Sequence, residues 1–161
     1  MSASRCSLRK LSLADFSLEL CDLVESLDGV AQDPVWHPEG DALFHSLQVF
    51  MHGRAESDDP ELWAAALVHD VGKGLGGHHE VEGARMLDGL LSTRVVWLVE
   101  HHLDLLRLPA KTRRRLRGTA RLRDLELLRR WDVAGRDPDA RVCSVQYAVR
   151  QVVEGLHSVE R

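Results

Sequence analysis

The chain has 161 residues with a formal net charge of −4, 44% hydrophobic and 29% charged residues, and only 5% aromatic residues. That length buries a sizeable core without staples, and the composition is that of an ordinary globular domain. The acid excess speaks against attraction of the whole protein to nucleic acid, and the few aromatics exclude an extended base-stacking platform.

Residues 8 to 28 carry Leu8, Leu11, Phe16, Leu20, Leu23, Val24 and Leu27 at helical spacing, and Gly29 follows as a stop. "AQDPVWHPEGD" is a loop with two prolines, and Pro38 stands where a first helical turn starts. One helix is expected from about Glu39 to His52 and another from Pro60, at a natural first helical position, to Asp70. Beyond the glycines of "HDVGKG", "HHEVEGARMLDGLL" and "TRVVWLVEHHLDLL" read as helices, with Pro109 limiting the second. "AKTRRRLRG" is a short helix or turn, "ARLRDLELLRRWDVAG" a longer helix, and "DPDARVCSVQYAVRQVVEGL" closes the fold. No segment shows strand alternation between turns. The expected class is all-α, a compact bundle of about seven helices with short connections.

Cys6, Cys21 and Cys143 are odd in number, scattered and without zinc-type spacing, which favours free thiols in a reducing compartment. No apolar run approaches a membrane span of ~20 residues. Asp15 and Glu19 interrupt what would have to be the apolar core of a signal sequence. The expected location is the cytoplasm, with no membrane partner.

Histidines and carboxylates recur along these helices. His45 lies on the helix beginning near Glu39, with Asp41 one turn before it and His52 two turns after it. His69 and Asp70 end the next helix, His79 opens the third, His101 and His102 lie in the fourth, and Asp132 sits late in the long C-terminal one. Imidazoles and carboxylates are the usual ligands of divalent first-row metals, and ligands donated singly by several bundle helices converge on an interior site. Each residue has an ordinary reading too: a satisfied core histidine, an Asp132 paired with neighbouring arginines, an Asp70 solvated at a helix end. Burying all of them without a shared partner is costly, and one metal site satisfies them together. Adjacent helical positions point about 100° apart, so one member each of His78/His79 and His101/His102 faces a given site.

The order His45, His69-Asp70, Asp132 resembles the HD superfamily of metal-dependent phosphohydrolases. "VWHPEGDALFHSL", "ALVHDVGKG", "HHEVEG", "LVEHH" and "RRWDVAGR" are similar to the C-terminal HD domain of bacterial CCA-adding tRNA nucleotidyltransferases, over roughly residues 33 to 155. A lone HD dipeptide is a weak signal; the ordered set is a strong one. The resemblance implies a single HD domain over 1–161, with the helix of residues 8–28 packed on the family-like core. It implies His45, His69, Asp70 and Asp132 as ligands of a primary metal, with His79 and His102 (alternatively His101) completing a second site. Lys73 matches a position expected to meet a substrate phosphate; Arg136 and Asp41 match family positions as well, Arg136 as a substrate contact. Nothing in the chain resembles the nucleotidyltransferase head, so CCA addition is not expected, and the short "GLGGH" replaces a longer insertion between Lys73 and His79.

A divalent ion in such a set lowers the pKa of bound water from about 15.7 towards neutrality, and one or two ions about 3.5–4 Å apart hold phosphate oxygens. The expected activity is cleavage of phosphate mono- or diesters of nucleotides, RNA ends or other phosphorylated small molecules. Asp70 would bridge the ions and Lys73 would offer a mobile point charge. Mn, Ni, Co, Mg, Fe and Zn all suit the donors. "RLPAKTRRRLRGTARLRDLELLRR" is strongly basic in an otherwise acidic chain and would draw phosphorylated partners. A di-iron oxygenase on the same fold and a non-catalytic nucleotide- or RNA-binding module are the alternatives.

Overall fold

The computed structural model describes residues 11–159. Among these, nine α-helices follow one another: α1 (Leu13–Glu25), α2 (Ala42–Glu56), α3 (Pro60–Val68), α4 (His79–Leu87), α5 (Thr93–His101), α6 (Asp104–Arg107), α7 (Pro109–Arg115), α8 (Ala120–Ala134) and α9 (Val145–Val159). One 3₁₀ turn, Lys73–Leu75, separates α3 from α4. There is no strand among the described residues, only two isolated bridges, so the architecture is all-α as expected. No helix among them is long and apolar enough to cross a membrane.

The helices begin where side chains can satisfy their free N–H groups. Ser12, Asp41, Asp59, Ser92 and Thr119 each accept a backbone N–H of the first turn. Pro60 sits at the first helical position of α3, where its missing N–H costs nothing. The expected start of α2 near Glu39 is corrected to Ala42. Gly40 adopts φ +82°, and Asp41 caps the helix through Phe44 N–H at 2.9 Å while its other oxygen takes Gly29 N–H at 2.7 Å. The helix expected over 8–28 is Leu13–Glu25 in its described part, and its first expected residues lie outside the described ones. About seven helices become nine because the chain turns after His101 and again at Leu108, leaving α6 and α7 as short separate pieces.

α3 is the hub. Eight of its nine residues are buried, all but Glu61, and it packs against α2, α5, α8 and α9. α2 lies on α8, α4 on α5, and α1 on α9. Trp131, Phe50, Leu67, Leu98 and Leu128 are among the largest fully buried side chains of the core.

After α3 the chain does not run straight to Asp70 as a helix; it turns at His69 and folds back onto α4. Gly72 makes this possible by its size, not by an unusual dihedral (φ −78°). A Cβ there would lie 2.1 Å from the His79 carbonyl oxygen and 2.6 Å from Gly83 N. The glycine of "HDVGKG" is thus a point of backbone contact that sets the His69-Asp70 turn directly against the first turn of α4.

Candidate metal centre

His45 comes from the first turns of α2, His69 and Asp70 from the turn after α3, His79 from the start of α4, His102 from the end of α5, and Asp132 from the last turn of α8. Five of the six are buried, and the His79 side chain is largely so. The Asp70 carboxylate stands between two sets of imidazoles. Its Oδ2 lies 3.2 Å from His69 Nε2 and 3.7 Å from His45 Nε2; its Oδ1 lies 3.2 Å from His79 Nε2 and 3.5 Å from His102 Nε2. Asp132 Oδ1 is 3.1 Å from His45 Nε2. The donor atoms therefore form two groups that could each hold a metal ion, His45/His69/Asp132 and Asp70/His79/His102.

The outer ring nitrogens explain why the inner ones point inward. His69 Nδ1 donates to Ala66 O at 2.9 Å and His102 Nδ1 to Val99 O at 2.7 Å, each at the end of its own helix. His45 Nδ1 has Gly135 O at 2.8 Å and Glu39 Oε1 at 2.8 Å. An Nδ1–H committed outward leaves Nε2 with a lone pair facing the carboxylates. Nε2 of His45, His69 and His79 is buried and has no hydrogen-bond partner. Lone pairs converging on carboxylate oxygens at these distances repel unless positive charge lies between them. Protonating every imidazole would crowd cations whose rings stand 5.2–5.4 Å apart along the row His45, His69, His102, His79. Divalent cations relieve both repulsions, and an all-nitrogen-and-oxygen donor set suits first-row metals. The residues fit the group.

Both carboxylates are held in the anionic form. Burial pushes the Asp70 carboxyl up, but the positive character of the neighbouring His69, His102 and His79 imidazoles outweighs it, leaving the group well below the ordinary carboxylate range. Burial likewise opposes ionisation of Asp132, and the positive character of the His45 and His69 imidazoles overcomes it against the repulsion of Asp70. The common cause is positive character at the Nε2 positions, which a metal supplies as well as a proton does.

Three cations border the centre. Lys73 Nζ lies 2.7 Å from Asp70 Oδ2 and also donates to Gln32 Oε1. Arg129 donates to Asp132 Oδ2 at 2.8 Å, which leaves Oδ1 for His45. Arg136 donates to the Trp36 carbonyl at 3.1 Å, and its other Nη lies 3.6 Å from Asp132. The arginine pairing of Asp132 and its approach to His45 thus coexist on different oxygens.

Several candidates lie elsewhere. His101 turns to Asp104 at 3.0 Å and stacks on Trp97 at 4.5 Å, so His102 is the member of that pair in the cluster. His78 is exposed, and Asp41 is the cap of α2. His52 is half-buried on α2 and belongs to neither donor group. His37 stands behind the centre, its ring edge-on to His45 at 5.0 Å and its Nδ1 2.9 Å from Glu39. Glu39, Gln32 and Arg129 were not singled out in the sequence. Glu39 could have been found from "HPEGD", but an acid between proline and glycine reads as solvated. A surface cavity of about 1060 Å³ lies away from the centre between Phe16, Leu90 and Leu156 and includes none of these donors.

The HD domain model matches residues 43–137, a stretch that includes His45, His69, Asp70 and Asp132. The chain belongs to the HD domain family, whose members are mostly metal-dependent hydrolases. It is also similar to curated proteins described as "Multifunctional CCA protein". That of Halorhodospira halophila is 42% identical over 73 residues, 38% of this chain and 18% of the relative. Those of Shewanella frigidimarina and Thioalkalivibrio sulfidiphilus are 46% identical over 52 residues and 42% over 62, covering 32% and 35% of this chain and 13% and 15% of the relatives. The chain thus spans less than a fifth of the length of these relatives.

Proposed function

We propose that this protein is a divalent-metal-dependent phosphohydrolase that cleaves phosphate mono- or diesters of nucleotides or RNA ends. The observation that supports this best is the Asp70 carboxylate with two imidazoles at each oxygen and Asp132 beyond one pair. His45, His69 and Asp132 would hold one ion, and His79 and His102 a second, with Asp70 common to both. When bound, ions in such a set make water nucleophilic at neutral pH and offset charge on phosphate oxygens.

The remaining chemistry belongs to the chain's own residues. The Ala66, Val99 and Gly135 carbonyls keep the imidazoles in the tautomer that presents Nε2 inward. Arg129 fixes the Asp132 carboxylate, so one oxygen stays turned to the centre. Lys73, steadied by Gln32, balances Asp70 and offers its ammonium to an entering phosphate. Arg136, with its guanidinium divided between Trp36 and Asp132, is the second anchor for that phosphate. The free thiols of Cys21 and Cys143 support a reducing, cytoplasmic setting.

The test is metal analysis of the purified protein, followed by assay of nucleoside monophosphates, 2′,3′-cyclic nucleotides and phosphate-ended oligoribonucleotides with Mn²⁺, Ni²⁺, Co²⁺, Mg²⁺, Fe²⁺ or Zn²⁺. Turnover that is abolished by chelator and by Asp70→Asn is expected. A metal-loaded protein inert across the panel would overturn the reading, and O₂-dependent turnover by an iron-loaded form would replace it with oxidative chemistry.

A further inference from the structure

Between Arg107 and Arg123 the chain carries eight basic residues, seven of them arginine, and no acid. All eight are exposed: Arg107 on α6, Lys111, Arg113, Arg114 and Arg115 on α7, Arg117 beyond it, and Arg121 and Arg123 on the first turns of α8. The ordinary explanation, a solvated helix face laced with ion pairs, accounts for only part of the strip. Arg107 pairs with Glu80, Arg113 with Glu126 at 3.2 Å and Arg115 with Asp104 at 3.0 Å. Among the described residues, Lys111, Arg114, Arg117, Arg121 and Arg123 pair with no carboxylate, though Arg121 covers the Trp97 ring at 4.6 Å.

The arrangement works against the helices that carry it. Lys111 has Arg114 and Arg115 one turn further along α7, and like charges at that spacing destabilise a helix. Arg121 and Arg123 stand in the first turn of α8, where the dipole favours acids and that turn has none. Both penalties disappear when a polyanion lies across the strip.

The strip also leads to the metal centre. Arg107 bonds Glu80, a buried residue of the first turn of α4 that follows His79 directly. From there the cations continue over α6 and α7 to the start of α8.

We infer that this strip is the docking surface for an RNA strand, which lays its phosphodiester backbone along α7 while its end reaches the centre. This rests on the phosphohydrolase reading and narrows its substrate class to RNA ends. A mononucleotide carries too little charge to neutralise five unpaired cations, whereas successive phosphates of a strand match them one by one. Guanidinium forks suit phosphate oxygens, and the scarcity of aromatic side chains fits recognition of the backbone, not the bases.

The experiment is fluorescence anisotropy of a labelled 20-nucleotide oligoribonucleotide titrated with the full chain in EDTA, across a series of KCl concentrations. Binding is expected to weaken with a slope of about −3.5 in log K against log salt, from five cations at about 0.7 each on a single strand. The Arg114→Glu/Arg117→Glu double variant is expected to bind at least tenfold more weakly, with unchanged helicity and unchanged hydrolysis of a mononucleotide ester. A flat salt dependence, equal binding by the double variant, or tighter binding of the DNA strand of the same sequence would overturn the inference. So would a dimer in sedimentation that the same substitutions dissociate, because the strip would then face the acidic half of a second copy. RNA binding as expected, without hydrolysis of any ester, would leave the docking surface in place and remove the phosphohydrolase reading.

Discussion

Glu39 reaches two imidazoles, His37 at 2.9 Å and His45 at 2.8 Å, through a single oxygen, and its other oxygen is buried without a partner. A carboxylate on the outer nitrogen of a ligating histidine makes that ring a better donor and fixes its tautomer. Glu39→Gln keeps the shape and removes the charge, so metal affinity should fall by about 10–100-fold in competition with a chelating dye. Unchanged affinity would assign the orientation of His45 to the Gly135 carbonyl alone. Motifs brought His45, His69, Asp70, His79, His102 and Asp132 to notice because ligand-type residues in a fixed order are visible in one dimension. What surrounds them was not visible: Glu39 and Gln32 matter through burial and long-range contact, which only packing defines. Likewise the 100° rule said that one of His101 and His102 faces inward, and the turn after α5 settles which.

At the scale of elements, the turn after α3 depends on Gly72. Gly72→Ala puts a methyl group into the His79 carbonyl, and overpacking of this kind costs about 1–3 kcal/mol. Urea unfolding should show that loss, and because the clash pushes α4 away, metal bound through His79 should weaken too. Wild-type stability in this variant would mean that the two turns are not in contact. A second junction links the end of α2 to α8. Glu56 accepts from Trp131 Nε1 at 3.0 Å and from Arg130, and these bonds lower its carboxyl below the usual value of 4.5. Its stabilisation is therefore present above that value and fades as the pH falls through the lower folded pKa. Glu56→Gln should lower stability at neutral and alkaline pH, flatten the acid limb of a stability–pH profile and converge with the parent at low pH. Helix starts at Pro60 and Thr93 were legible because caps and prolines act locally. The start of α2 and the break after His101 were not, because the left-handed Gly40 and the turn that follows α5 answer to neighbouring elements.

For the whole molecule, α3 and its neighbours form a frame that draws several polar groups inward, and that frame is less stable without positive charge at its centre. A ligand that binds only the folded state at about 100 times its Kd adds about 2.7 kcal/mol, or roughly 5–10 °C in Tm for a chain of this length. Chelation should therefore lower Tm by about that amount, and Asp70→Asn should abolish the difference. The all-α class and the site's order along the chain were legible together, since helical periodicity and ligand order both survive in a linear sequence. The separation of the donors into two groups across one carboxylate is a property of the assembled bundle. The most direct test is the metal content of the chain after equilibrium dialysis against Mn²⁺, measured by mass spectrometry for the parent, for Asp70→Asn and for an Asp104→Asn control. About two ions per chain in the parent and control, with neither retained by Asp70→Asn, is the predicted result. A parent that holds no ion, or an Asp70→Asn variant that keeps both, would contradict it.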